Sequence, residues 1–194
     1  MRSYSSAALA ALLLGVLASC VPLSETGTGG HPNPIIVREF AVAPGVIALD
    51  PSLGFSLYRG SPGVPPGRRA ASVGRGAAFS LADAVATGLG NLGYDAIRSD
   101  TATAEPGGRA LIVSGSFLHI NEGHRRQHAG VTVDVEIGYQ AAGGAAPTPL
   151  TAFRQSAASS PGGGVNSAAA AVGRTIAAYA ADLARANNWP GTPR

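Results

Sequence analysis

The sequence predicts an α+β fold: a mixed, largely antiparallel sheet of four to five strands with two helices packed on one face. Three observations lead there. VTVDVEIGYQ, residues 131 to 140, alternates Val131, Val133, Val135, Ile137 and Tyr139 with Thr132, Asp134, Glu136 and Gln140, the period of a strand that is dry on one face and wet on the other. Two other segments repeat at the helical period. Leu81, Val85, Leu89 and Leu92 follow at spacings of 4, 4 and 3, and Val165, Ala169, Val172, Ile176, Tyr179 and Leu183 at 4, 3, 4, 3 and 4, each a single apolar stripe. The signals run strand, helix, strand, three antiparallel strands, helix, which places the helices as one layer on a sheet.

The first segment is not part of that fold. Met1 and Arg2 give a positive start, Ala7 to Leu17 an apolar run, and Leu17, Ala18 and Ser19 lead to Cys20, the only cysteine in 194 residues. The run falls short of the ~20 residues that span a bilayer and has the form of a secretory signal. A free cysteine packs well in a core, but these neighbours point elsewhere: Leu17-Ala18-Ser19-Cys20 resembles the lipobox of bacterial lipoproteins. That resemblance implies a diacylglyceryl thioether on Cys20, cleavage just before it, and an N-acyl chain on the freed amine. Two or three chains, at ~0.8 kcal/mol per buried methylene, hold a protein on a membrane essentially permanently. Residues 1–19 are then the signal peptide. Val21, where an aspartate would mark inner-membrane retention, favours the periplasmic face of the outer membrane. With a lone cysteine no internal disulfide forms, so the core alone must stabilise the fold.

Residues 20–34 form the anchored tether. VPLSETGTGGHPNP (21–34) is too rich in Pro, Gly and hydroxyl residues to order itself, and as a coil it spans roughly 20 Å. The domain covers 35–189, with a tail at 190–194. IIVREFAV (35–42) reads as a strand that is central or covered on both sides. Pro44 to Ala77 reads as irregular, apart from a short apolar turn around Ile47 to Leu57. Ser80 and Asp83 form a capping box that starts a helix, and Gly93 ends it in the left-handed conformation. Gly88 and Gly90 each cost this helix about 1 kcal/mol, so it depends on docking. YDAIRSD (94–100) is a short strand. ALIVSGSFLHI (110–120) is a long one, with Gly115 marking a bulge or a close approach. LTAFRQSA (150–157) pairs beside 131–140 through AAGGAAPTP, PGGG (161–164) breaks the chain, and a last helix runs from Asn166 to Asn187.

All 14 basic side chains are arginine, the mark of a GC-rich coding sequence, against 11 acidic ones. Loss of Arg2 with the signal leaves a nearly neutral protein, which gives no support to nucleic-acid binding, and no nucleic-acid partner is expected. Hydrophobic residues make up 45% but aromatics only 6%, so the core is built from small pieces.

Three stretches together resemble one family: IIVREFAVAPGVIALD, the Ser80 to Asp100 unit with NLGYDA, and ALIVSGSFLHINEGHRRQHAG before a valine-rich strand. They are similar to the bacterial domain-of-unknown-function family 4410, over most of Ile35 to Gln140. The resemblance implies an envelope protein and says little about activity.

The densest polar stretch is NEGHRRQHAG (121–130), with His119 just before it. His124 and His128 have the spacing of a metal pair on a helix. Here they lie between strands, with Glu122 as the single carboxylate and with Arg125 and Arg126 repelling a cation. A solvated hairpin connection without metal is expected, offering His124, Arg125 and Arg126 to a partner. Arg59, Arg68, Arg69 and Arg75 form a second basic cluster with no acidic residue between Asp50 and Asp83. Such arginines meet lipid phosphates or an acidic partner at close range, but a solvated loop accounts for them. The GRG at 74–76 lacks the third glycine or the lysine of a nucleotide loop. No G-x-S-x-G occurs, and Ser114 and Ser116 sit mid-strand without a His-Asp pair. Asp134 and Glu136 stand about 7 Å apart on one strand face, a glycosidase-like spacing that exposed polar positions on a two-sided strand explain better. The expectation is a non-enzymatic lipoprotein with no cofactor beyond its lipid. It would bind an envelope protein partner through the loop and the Asp134/Glu136 face. The alternative is a small ligand or glycan held between the sheet and residues 44–77.

Overall fold

The computed structural model describes residues 33–51, 64–99, 108–123, 128–142 and 146–189. Cys20 and its lipobox, His124, Arg125 and Arg126 lie outside the described residues. The fold is α+β, as expected. The sheet runs β4 (Ala96–Ser99), β1 (Ile35–Arg38), β5 (Ala110–Asn121), β6 (Gly130–Gln140), β7 (Thr148–Ala158), and the two-residue strands β2 (Ala41–Val42) and β3 (Ile47–Ala48) add to β5. The long ladders β5–β6 and β6–β7 are antiparallel; β1 is parallel to both its neighbours. The strand count thus exceeds the four to five expected.

β1 is the central strand its apolar composition implies, with Ile35, Ile36 and Val37 all buried. The single strand expected over 35–42 is broken at Glu39–Phe40. Phe40 is buried at that break and meets Phe117 edge-on, with ring centroids 6.4 Å apart. Gly115 provides the room: a Cβ there would lie 2.6 Å from Phe40 Cε1. Its glycine therefore marks a close approach. The bulge in β5 comes later, between Phe117 and His119.

The largest correction concerns the first helix. α1 spans Pro66–Asn91, so the stretch read as irregular up to Ala77 is helical from Pro66 on, and the Ser80 capping box lies in its interior. Pro66 stands at the first turn, where its fixed φ fits and its missing N–H costs nothing. Gly74, Ala77 and Ala78 are buried and carry the stripe backwards from Leu81, Ala82, Val85 and Leu89. The C-terminus is as read: Gly93 has φ 90°, and the Tyr94 N–H donates to the Leu89 carbonyl at 3.1 Å.

α2 (Val165–Ala186) packs on α1 through glycine and alanine. A Cβ on Gly88 would lie 2.7 Å from the Ala177 Cβ. The expected α2 stripe holds through Ile176 and then drifts: Tyr179 is 42% exposed and Leu183 only partly buried, while Ala177, Ala180, Ala181 and Ala184 face inward. Strict 4-3-4-3 spacing has a period of 3.5, which slips about 20° per heptad against a straight helix. Beyond α2, Trp189 Nε1–H donates to the Asn33 carbonyl at 3.0 Å and its ring meets Tyr139 edge-on at 6.0 Å. The end of the fold is thereby pinned to its beginning.

The sheet face opposite the helices is wet only in part. Ile36, Ala110 and Ile112 form a second buried cluster. Gln140, read as exposed, is buried where it pairs with Ala110. The wet face is therefore confined to the β5–β6–β7 end, where Ser114, Ser116, Asp134, Glu136 and Arg154 stand.

Candidate functional site

Two surfaces concentrate chemistry. The first is the polar strip. Alternation sends Ser114 and Ser116 of β5, Asp134 and Glu136 of β6, and Ala152 and Arg154 of β7 to the same face, and they line an open trough of about 720 Å³. The register sets Asp134 between Ser116 and Arg154, and Glu136 between Ser114 and Ala152. Arg154 grips Asp134 with both arms, Nε to Oδ1 at 2.8 Å and Nη2 to Oδ2 at 3.2 Å. This bidentate hydrogen bond holds the Asp134 carboxyl below its ordinary range and pushes the Arg154 guanidinium further up. Solvent screens so exposed a pair, and its contribution to stability is small.

The two carboxylates seen in the sequence thus share a face but differ in state. Asp134 is neutralised in place, whereas Glu136 makes no ion pair among the described residues. Arg154 is the member that sequence reasoning missed; only the strand register reveals it. The depressed Asp134 carboxyl favours the folded state above the unfolded-chain value, and that advantage fades as pH falls through the folded value. A carboxyl-observed NMR titration is expected to show Asp134 titrating below a free aspartate, and to return it upward in Arg154→Ala. An unchanged midpoint in the variant refutes the assignment.

At the other end of the hairpin, Arg69 in the first turn of α1 is not a free loop arginine. Its guanidinium pairs with the Glu122 carboxylate (Nε to Oε1 3.3 Å, with Nη2 on Oε2), and Nη2 also donates to the Asp50 carbonyl at 3.0 Å. The Asp50 N–H donates to Glu122 Oε2 at 2.9 Å, and the Glu122 N–H to the Ala48 carbonyl at 2.9 Å. Both side chains are largely buried. Glu122, passed over as a metal ligand, is thereby the clasp that fixes the base of the 121–130 connection to the helix and to β3. Among the described residues no cluster of His, Cys, Asp and Glu fit for a metal occurs. His119 and His128 are exposed at the hairpin's base.

The second surface is a cleft of about 860 Å³ between residues 39–49 and the N-terminal half of α1. Phe40, Val42, Pro44, Ile47, Leu49 and Ala71 give it an apolar lining, with Glu39 and Arg75 also on its wall. It lies where the sequence placed the alternative ligand site, between the sheet and residues 44–77. No described helix is long and apolar enough to cross a membrane.

No family model matches the chain. No curated protein matches it either. Among solved structures, a single-residue variant of the PelC dodecamer from Paraburkholderia phytofirmans aligns over 75% of this chain and 83% of that one, at 14% identity and a TM-score of 0.44. A Xanthomonas campestris protein of the domain-of-unknown-function family 330 aligns over 81% and 85%, at 11% and 0.42. A Helicobacter pylori homologue of a neuraminyllactose-binding hemagglutinin aligns over 83% and 87%, at 9% and 0.33. Identities and scores of this size carry no function across.

Proposed function

We propose that the chain is a lipoprotein of the bacterial cell envelope, anchored through Cys20 at the periplasmic face of the outer membrane. Its α+β domain acts as a non-enzymatic interaction module for an envelope protein. The observation that carries this reading is Leu17-Ala18-Ser19-Cys20, a sole thiol behind a short apolar run. The partner surface is the polar strip with the 121–130 connection, where Glu136, without an ion pair among the described residues, stands across from Ser114. The 14 residues between the anchor and the domain, 21–34, keep that surface close to the membrane and raise its effective concentration for a membrane-bound partner.

Cys20→Ala is expected to leave the membrane fraction, and mass spectrometry of the wild-type mature N-terminus to find residue 20 first and lipid-modified. A full-length, unlipidated native product in the cytosol overturns the reading. Cross-linking in intact envelopes tests the module: Glu136→Arg is expected to lose a partner captured in stoichiometric amount by the parent.

The cleft favours a second reading, a small ligand with an apolar body held against Phe40, Ile47 and Leu49. A small molecule that raises the thermal midpoint of the protein without any protein partner supports it.

A further inference from the structure

The sheet ends on one side in β4, four residues long, and on the other in β7, eleven residues long. Among the described residues β7 pairs only inward, with β6. Natural sheets guard a long edge with charges, prolines, bulges or a covering element. In β7 the guards sit at its start: Pro149, and Leu150 at the register slip beside Ile137 and Gly138. From Thr151 to Ala158 the strand is regular. Its single charged side chain, Arg154, is turned along the sheet to Asp134. Two large apolar side chains stand exposed beside this edge: Leu150 at 38%, and Tyr179 at 42%, whose ring lies 4.5 Å from that of Phe153.

We propose that β7 is a dimerisation edge. Two copies of the chain pair β7 to β7, antiparallel, about a two-fold axis normal to the sheet. One continuous sheet results, with the helices of both copies on the same face. The strand itself selects a second copy as occupant. Such an axis keeps each sheet face on its own side, so only registers that pair residues of the same face are open. A register centred on Arg154 sets two guanidiniums opposite each other and is disfavoured. Centring on Phe153 removes that conflict: Arg154 faces Ala152 of the second copy, Thr151 faces its Gln155, and the two Phe153 rings meet at the axis. The Phe153–Tyr179 patch becomes self-complementary, each copy shielding the aromatic surface of the other, as an isologous interface requires. Centred there, the regular stretch pairs over five residues, Thr151 to Gln155, which at ~3.4 Å each make a contact roughly 17 Å long. Across the depth of sheet and helix layer it buries roughly 300 Å² per copy, the size of a weak, transient interface. The dimer is therefore reversible and concentration-dependent.

Sedimentation velocity of the full chain in mild detergent, over a concentration series, tests this. The parent is expected to pass from monomer to dimer. Ala152→Lys sets a cation opposite Arg154 of the second copy, twice in the symmetric dimer, and is expected to raise the dissociation constant about threefold. Ala152→Glu sets an anion there and is expected to lower it by a similar factor. Residue 152 is exposed, so both variants keep the parent's circular dichroism spectrum. A monomer at every concentration overturns the proposal, even one that takes up another protein along β7. So does an oligomer in which either substitution fails to shift the constant in the stated direction.

Discussion

Gly115→Ala is expected to lower the thermal midpoint of the protein by about 7 °C, although it adds a single methyl group. The new Cβ would run into the Asp134 carbonyl oxygen of the neighbouring strand and come within 2.6 and 2.9 Å of two carbons of the Phe40 ring. Neither obstacle can yield cheaply. Phe40 is fully buried and wedged edge-on against Phe117, and the Asp134 carbonyl belongs to the backbone of β6, the strand at the middle of the two long ladders. Overpacking costs 1–3 kcal/mol where side chains relax and more where backbone must move, so about 3 kcal/mol is expected. The reduced entropy of the unfolded chain returns only ~0.5–1 kcal/mol. At 2–4 °C per kcal/mol for a domain of this size, the net loss gives the stated shift. Displacing the Asp134 backbone also loosens the Arg154 pair, so the Asp134 titration should move with stability. Gly90→Ala is the control: nothing lies within 4 Å of its Cβ, and the better helix former should leave the midpoint unchanged or slightly raised. A Gly115→Ala midpoint within about 2 °C of the parent refutes the packing account.

The parts of the fold legible in the sequence are those written in large side chains. Val131 to Tyr139 could be read as a strand because β-branched residues alternate with polar ones, and α2 because Val165, Val172 and Ile176 share a face. The first half of α1 was hidden because its buried face is Gly74, Ala77 and Ala78, residues too small to register as an apolar stripe, and because Pro65, Pro66 and the GRG at 74–76 are ordinary loop signals. Gly74 is small because β2 and β3 close on it, with Ile47 Cδ1 3.0 Å and Val42 Cγ1 3.1 Å from where a Cβ would stand; further along α1, glycine and alanine again make the contact where the two helices lie close, Gly88 against Ala177. At the candidate site, Asp134 and Glu136 could be placed on one face by alternation alone. Arg154 could not be joined to them, since that pairing depends on the β6–β7 register, which in turn depends on the slip at Gly138. Alternation puts Gln140 on the wet face because it says nothing about what covers a sheet from the far side. The Arg69–Glu122 clasp links residues 53 apart in sequence, beyond the reach of any local pattern.

The same closeness of the helices sets the second large effect. Gly173→Val is expected to cost on the order of 4 kcal/mol, since a backbone obstacle leaves little room to relax. Already the first carbon of the new side chain would stand 2.7 Å from the Leu81 carbonyl oxygen, 2.8 Å from the Ala84 Cβ and 3.3 Å from the Val85 amide nitrogen. α1 and α2 would have to move apart, opening the contacts of Leu81, Val85 and Ile176, all of which are fully buried. Helix propensity pulls in the opposite direction, because any ordinary residue is better than glycine in a helix interior, by up to ~1 kcal/mol. The two contributions can be separated. A peptide of residues 165–186 carrying Gly173→Ala is expected to be more helical than the parent peptide, while the whole protein with the same change is less stable. Trp189, the only tryptophan and 6% exposed just beyond the end of α2, reports the loosening as a red shift of its emission. A protein that gained stability along with its peptide would mean that propensity, and not the close approach of the two helices, decides what this position tolerates.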